Sequence, residues 1–326
     1  MKLGISRLGA NLRRETQSPL GRQSPLVRFF VKYKYLHLLI LPGLIYFIIF
    51  KYLPMYGVII AFQNYKAVGG FRGTFTSEWV GLLQFKRFFQ SVYFTRLTVN
   101  TILISLYRII LGFPAPIILA LLFNELRLRR FKRVVQTVTY MPHFLSWVVI
   151  AGFVITILSP TSGPINAVLE KLGFEPIFFL SNKRLFRGIL VLSDMWRNVG
   201  WQSIIYLAAI SGINPELYEA ATVDGALKWQ KIRHITLPGI KEIIAILLIL
   251  RVGRILDENF QQILNLYNPA VYEVADVYET YVYRIGILQA EFSFAAAVGF
   301  FKSICALVLI YLSNKAAKKL GTQGLW

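Results

Sequence analysis

Asn214-Pro-Glu-Leu-Tyr-Glu-Ala-Ala-Thr-Val-Asp-Gly-Ala-Leu-Lys-Trp-Gln-Lys-Ile-Arg-His-Ile-Thr-Leu-Pro238 separates two apolar runs of a 326-residue chain. Its local structure follows from the order of its residues. Asn214 is a strong N-cap, and Pro215 suits the first helical position, where its missing N–H is not needed. Glu216 and Glu219 favour the positive end of the helix dipole. A short helix is therefore predicted to begin there. Ala220 and Ala221 are small enough for close approach, Asp224-Gly225 signals a turn, and Trp229, Ile232 and Ile235 resume near-helical spacing until Pro238 breaks the pattern. The segment reads as helix, turn and helix. That geometry alone fits an amphipathic loop on a membrane surface as well as it fits a docking element.

The flanking runs are two of six. A spanning helix needs roughly 20 mostly apolar residues. Candidate spans are Leu36–Tyr56, Leu97–Phe123, Val134–Leu158, Arg187–Ile210, Ile240–Leu256 and Phe294–Ser313. The first carries Lys51 and Pro54 near its end, and the fifth is short before Asp257 and Glu258. Composition agrees with this class: 56% of residues are apolar, only 16% are charged, and the mean hydropathy is +0.54. So apolar a chain can bury ample surface and is not disordered. The expectation is an all-α membrane protein with six transmembrane helices.

The net charge of +20 would ordinarily suggest nucleic acid, but its distribution points elsewhere. Residues 1–35, 124–133, 211–242 and 314–326 hold 20 of the 36 Lys and Arg, whereas 57–96, 159–186 and 265–293 hold nine. By the positive-inside rule both termini and two internal loops face the cytoplasm. The basic N-terminal tail then needs only orientation and attraction to anionic membrane lipid, with no nucleic-acid partner. That tail is too long, and lacks the small-residue cleavage site, for a removed signal peptide, so the first run is predicted to be an uncleaved anchor. The outer segments carry turn signals at Ser159-Pro160 and Gly163-Pro164, and the third is acidic, with Glu273, Asp276, Glu279 and Glu291 against Arg284. Cys305 is the only cysteine, so the chain can form no intrachain disulfide and no CxxC metal site.

Glu219-Ala-Ala-Thr-Val-Asp-Gly-Ala226, followed by Ile235-Thr-Leu-Pro238, resembles the EAA loop of permease subunits of binding-protein-dependent ABC importers. Its position before the last pair of spans matches that family too. Further stretches are similar to the sugar-importer branch of MalF/MalG type: Pro54–Phe62, Val80–Phe85, Gly112–Leu122, Tyr140–Phe144 and Trp201–Ala209. Within that branch they look most like the oligosaccharide and polysaccharide permeases, such as alginate-importer and LplB-type proteins. Ile232 departs from the family where an aromatic Phe is usual, and Glu242 stands where a second Pro often appears.

The resemblance implies a type I importer permease (MetI-like) fold in the bacterial cytoplasmic membrane. It implies a basic tail at 1–35, a permease domain at 36–313 with a coupling loop at 211–241, and a cytoplasmic tail at 314–326. In that family the loop inserts into a cleft of the ATPase, which assigns ATPase coupling to Glu219, Ala220, Ala221, Asp224, Gly225, Ala226, Leu237 and Pro238. Implied partners are a second homologous permease, two copies of a cytoplasmic P-loop ATPase that bind ATP and Mg, and an extracytoplasmic solute-binding protein. The implied function is ATP-driven import of oligosaccharides or polysaccharide fragments by alternating access.

Charged groups at bilayer depth cost about 2.5–3.5 kcal/mol near a helix centre, so they face protein or water. Span four places Asp194, Arg197, Asn198, Trp201, Gln202 and Ile205 on one helical face, and span five does so with Arg251, Arg254, Glu258, Gln261 and Gln262. One reading is a translocation path, in which Asn198, Gln202, Arg254 and Gln261 hydrogen-bond sugar hydroxyls and Trp201 stacks on a pyranose ring. Guanidinium would pair bidentately with the carboxylate of a uronic acid. The other reading is ion pairing, for example Asp194 with Arg197 or Arg254 with Glu258. His143 beside Pro142 reads as a helix-end polar group rather than a proton relay. Pro114 and Pro116 should bend span two, and Tyr107 and Arg108 fit either lining or packing.

The chain has no GxxxxGK[ST], HExxH, CxxC or GxSxG stretch, so no catalytic or metal site and no cofactor of its own is expected. Two other classes stay open. A polytopic enzyme or sensor would use Asp194, Asp257 and Glu258 as acids. A proton-coupled secondary transporter would need paired Gly/Pro-interrupted spans, which the sequence does not display.

Overall fold

The computed structural model describes residues 32–256 and 260–319. Asp257, Glu258 and most of both predicted tails lie outside the described residues. Among the described residues the chain is helical, and pairing of extended backbone is confined to an isolated antiparallel bridge between Gln63 and Trp79. There are two compact units, one up to Val58 and one from Ile59 onward.

In the first unit, α1 (Lys34–Phe47) has no buried residue and shows apolar side chains on every side. A helix that is apolar all round is suited to lipid. The second unit contains α2 (Leu83–Phe89), α3 (Val92–Tyr107), α4 (Pro114–Glu125), α5 (Arg129–Tyr140), α6 (Trp147–Ile157), α7 (Lys183–Ser211), α8 (Pro215–Val223), α9 (Lys228–Lys231), α10 (Lys241–Gly253), α11 (Phe260–Leu266), α12 (Tyr278–Tyr283) and α13 (Phe292–Lys319).

The six expected spans take three different forms. Lys34–Phe62, Val92–Glu125 and Phe292–Ala316 are each long and apolar enough to cross a membrane. The third run is not one rod: Arg129–Phe144 and Trp147–Ile157 meet at 106°. Pro142 and the new N-cap at Ser146, whose side chain accepts from Val149 N–H, account for the break. The fourth, α7, has 29 residues but carries Arg187, Asp194 and Arg197. The fifth, α10, has only 13 residues, about 20 Å of helix, and stops at Gly253.

Pro54 near the end of the first run, Pro114, expected to bend span two, and Pro238, expected to break its helix, are each preceded by a π turn. Ile48–Tyr52, Arg108–Gly112 and Ile232–Thr236 each end two residues before Pro54, Pro114 and Pro238. In all three the residue preceding the proline donates its N–H five residues back: Leu53 to Ile48, Phe113 to Arg108 and Leu237 to Ile232. A proline clashes with the carbonyl four residues earlier and offers it no N–H. One residue of π register opens the turn and relieves that clash without ending the helix.

Helix α7 is the central element, packed along α4 and against α5. Apolar residues of α3, α6, α7 and α11 meet at Ile104, Ala151, Phe186, Leu190 and Ile263. Those of α2, α3, α12 and α13 meet at Phe88, Leu97, Tyr278, Phe294 and Val298. Between helices in lipid, burial gives little net drive, because acyl chains are as apolar as Leu, and close approach and polar bonds decide the contacts. Gly200 shows the first: a Cβ there would stand 2.1 Å from the Thr139 carbonyl oxygen. Arg187 shows the second, donating to Asn100 Oδ1 at 2.7 Å and to the Val274 carbonyl at 3.0 Å.

The acidic segment 265–293 is neutralised in the same way. Glu273 pairs with Lys183, Asp276 with Arg284, Glu279 with Lys302 and Glu291 with Arg87. The Lys183 ammonium, 2.5 Å away, holds the Glu273 carboxyl below the usual carboxylate range. The segment is tied to α2, α7 and α13 rather than presented as a free anionic face.

Candidate functional site

The π turn at Arg108–Gly112 delivers Arg108 into the interior, where its side chain is only 2% exposed. It faces α7 and α11. The guanidinium donates to Gln262 Oε1 at 2.5 Å and approaches Asp194 Oδ2 at 4.0 Å. Gln262 is fully buried and spends its amide hydrogens on the Leu190 carbonyl and Ser193 Oγ, at 2.7 and 2.8 Å. Asp194 also accepts from Asn198 Nδ2 at 2.8 Å, which leaves Asn198 Oδ1 for His143 Nδ1 at 3.0 Å. His143 must therefore be the donor, with its proton on Nδ1. The imidazole lies flat on Trp201, centroids 4.8 Å apart and planes 2° from parallel.

A small cavity of about 30 Å³ opens beside this chain of contacts. It is lined by Arg108, Asp194, Asn198, Gln202 and Arg251, together with Gly112 and Phe113 at the π turn. A volume of that order holds about one water and no sugar ring. Arg251 has no hydrogen bond or ion pair among the described residues, whereas Arg108 is bonded to Gln262 and faces Asp194.

Of the five residues predicted to line a path, Asn198 and Gln202 do line the cavity. Trp201 is 43% exposed and has one indole face covered by His143. Arg254 and Gln261 are exposed and lie outside the cavity lining, and the predicted single face from Arg251 to Gln262 does not exist as one helix. Helix α10 ends at Gly253, and of the two neighbouring glutamines placed on the inward face Gln262 is buried while Gln261 is exposed. The Asp194–Arg197 pair is also not formed. Arg197 donates to the His143 and Leu145 carbonyls and lies over Trp147, closing the break between α5 and α6. Arg108 was legible in sequence only as a charge in an apolar run.

The loop between α7 and α10 folds as helix, turn and helix. Asn214 caps α8 by accepting from Glu216 N–H at 3.0 Å. At the other end Gly225 N–H donates to the Thr222 carbonyl at 3.1 Å and Ala226 N–H to the Ala221 carbonyl at 2.8 Å, with Gly225 at φ +75°. This is a Schellman closure, and its left-handed position is the reason for glycine there. The second limb runs from Lys228 through the π turn to Gly239, so Pro238 lies within it and does not terminate it. Tyr218 OH and Thr236 Oγ1, 3.0 Å apart, join the limbs, and Lys231 Nζ donates to Thr222 Oγ1 at 2.7 Å.

A groove of about 360 Å³ lies between the limbs, walled by Ala221, Asp224, Ala226, Lys231, His234 and Ile235. Around it Leu217, Val223, Leu227 and Trp229 are exposed, Val223 by 88%. Glu219 and Ala220 are exposed on the same limb, and Glu219 has no hydrogen bond or ion pair among the described residues. Leu237 is half-buried and Pro238 exposed at the far end. Exposed apolar side chains around a rigid polar frame are the composition of a contact surface.

The profile of the family "Binding-protein-dependent transport system inner membrane component" matches residues 112–319. The chain is 46% identical over 296 residues to the polygalacturonan/rhamnogalacturonan transport system permease protein YteP of Bacillus subtilis, covering 91% of each. It is 44% identical over 293 residues to Protein LplB of the same organism, covering 90% of this chain and 91% of that one. Among solved structures, a bacterial ABC transporter involved in the import of the acidic polysaccharide alginate superposes with a TM-score of 0.84 at 41% identity, covering 91% of this chain and 99% of that chain. The alginate transporter in complex with an alginate pentasaccharide-bound periplasmic protein gives 0.84 at 40% identity, over 93% and 100% of the two chains.

Proposed function

The chain belongs to the family of binding-protein-dependent transport system inner membrane components, a non-catalytic translocation subunit of the membrane, and from that premise we propose that it carries saccharide fragments inward for an ATP-driven importer. The observation that carries this reading is the loop at 214–239. It is internally rigid, capped at both ends of α8, and offers Glu219 and a set of exposed apolar side chains with nothing packed on them among the described residues. A surface of that kind is suited to transmitting a push from a cytoplasmic ATPase. The six runs cross the membrane with both termini inside, as the distribution of Lys and Arg supports.

In the assembled importer a second permease completes the path, two P-loop ATPases bind ATP and Mg below, and an extracytoplasmic binding protein delivers solute above. ATP-driven closure moves the loop as a unit, and α7 and α10, to which it is joined, rearrange around the cavity to alternate access. The relatives' printed substrates, polygalacturonan/rhamnogalacturonan and the acidic polysaccharide alginate, support an acidic saccharide as cargo. Arg251, which lines the cavity and has no polar partner among the described residues, has the chemistry to pair with a uronate carboxylate.

Glu219→Lys in the co-expressed complex tests the coupling role. Uptake should fall by at least tenfold while the chain still inserts and co-purifies with its ATPase. Full substrate-stimulated ATPase activity and uptake in that variant would defeat the reading.

A further inference from the structure

Residues 59–91 fold back on the start of α13, and their contacts fix how deep they lie. The apolar run Phe292–Ala316 has 25 residues, about 37 Å of helix against a hydrocarbon core of about 30 Å. Ser293 therefore stands at the boundary of the hydrocarbon, and Phe300 lies about 10 Å inside it. Tyr65 N–H donates to Ser293 Oγ at 2.9 Å, and its ring meets Phe292 edge-on. The Phe62 and Phe85 rings pack on Phe300 at 5.9 and 6.2 Å. Val80 N–H returns to the Phe62 carbonyl at 2.8 Å, and the Trp79 indole lies flat on Phe62 with the planes 8° apart. Trp79, Leu82 and Leu83 are thereby held between the levels of Ser293 and Phe300.

These three side chains are 63%, 67% and 56% exposed, although Gln84 and Phe85, next in the chain, are buried. The short helix Gly70–Thr76 repeats the arrangement. It turns Gly73 and Thr74 to the body, where Gln63 Nε2 donates to the Thr74 carbonyl at 3.0 Å and a Cβ on Gly73 would stand 3.1 Å from the Tyr65 ring. Phe71 and Phe75, one turn apart and edge-on to each other, point the other way and are 75% and 63% exposed. Lys66, Arg72 and Lys86 are exposed on the same segment and make no ion pair among the described residues. Large apolar side chains with an indole among them, accompanied by cations, are the composition of the belt where a protein meets lipid headgroups. A water-soluble partner does not reach below the hydrocarbon boundary.

We propose that residues 70–83 are a membrane anchor in the outer leaflet, with Phe71, Phe75, Trp79, Leu82 and Leu83 seated at the top of the acyl chains and Lys66, Arg72 and Lys86 reaching the headgroup phosphates. The inference rests on the membrane placement of α13 and of the outer segments given above. The anchor holds α2, and with it the Arg87–Glu291 pair, at a set depth beside α13. The test uses the assembled importer in phosphatidylcholine nanodiscs, in a Cys305→Ala background. A bimane label is placed at Phe75→Cys or Leu83→Cys, with Leu82→Cys in place of the latter should it not assemble. Glu273→Cys, whose parent side chain is open to water, is the aqueous control.

Lipid brominated high on the acyl chain should quench the labels at 75 and 83 about threefold more than lipid brominated near the methyl end, and aqueous iodide should quench them weakly. At 273 iodide should dominate. Iodide quenching at 75 and 83 equal to that at 273 overturns the proposal. So does protection from both kinds of quencher, which marks cover by the second permease or the binding protein, and so does stronger quenching from the chain ends. In whole cells a membrane-impermeant maleimide should label Glu273→Cys from outside. Its failure to do so overturns the outer placement, whereas the nanodisc quenching reads depth whichever side faces out, so a wrong topology and a wrong depth give different results.

Discussion

Gly200 and Gly225 are both glycines for steric reasons, but the reasons differ. At Gly225 an added Cβ has open space, and only the backbone, at φ +75°, resists it. A non-glycine residue in that region costs about 1–2 kcal/mol, less for Asn, so Gly225→Ala should impair transport mildly and Gly225→Asn less still. At Gly200 the Cβ would collide with backbone at 2.1 Å. Overpacking of this kind costs about 1–3 kcal/mol and forces α5 away from α7 at the centre of the packed body, so Gly200→Ala should lower the thermal stability of the solubilised complex more than Gly225→Ala, whose strain stays within the exposed loop. Equal loss of melting temperature in the two variants would contradict this division. The sequence made Gly225 legible, since Asp-Gly after a helix is a local signal. It did not flag Gly200, whose constraint comes from a carbonyl some sixty residues away in the chain.

At the scale of elements, the prolines were the signals most open to misreading. Pro238 marks a helix end by local rules, yet the limb continues through it because the π turn at Ile232–Thr236 removes the clash. That register also brings Thr236 to Tyr218. In Pro238→Ala the constraint is gone and an ordinary α register becomes available, which rotates the turns on either side by about 100° relative to each other. Thr236 should then leave Tyr218, at a cost of about 1 kcal/mol, and hydrogen exchange across 228–239 should accelerate. Uptake should drop while membrane insertion stays normal. Unchanged exchange in Pro238→Ala would mean that the neighbouring packing, not the proline, holds the π turn.

For the whole molecule, a cavity of about 30 Å³ holds no sugar ring, so the proposed function requires a second subunit to complete the path. The polar wall is asymmetric. Arg108 is held by Asp194 and Gln262, whereas Arg251 has no polar partner among the described residues. Arg251→Gln should therefore reduce uptake of uronate oligomers by the assembled complex several-fold more than uptake of neutral ones, while Arg254→Gln leaves both near wild type. A uniform loss for neutral and acidic cargo in Arg251→Gln would assign the residue to packing.

Composition, the apolar runs and the capping order of residues 214–238 fixed the class of molecule and the helix-turn-helix form of the loop. Each of those depends on neighbours close in sequence or on a total over a segment. Which polar groups converge was decided only in three dimensions. Periodicity placed Arg251, Arg254, Gln261 and Gln262 on one face, yet Arg251 and Gln262 are turned inward while Arg254 and Gln261 are exposed, because α10 ends at Gly253 and α11 packs through its own contacts with α7. The bend of 106° after α5 and the burial of Arg108 have the same origin: they satisfy partners on α7, which no local pattern specifies.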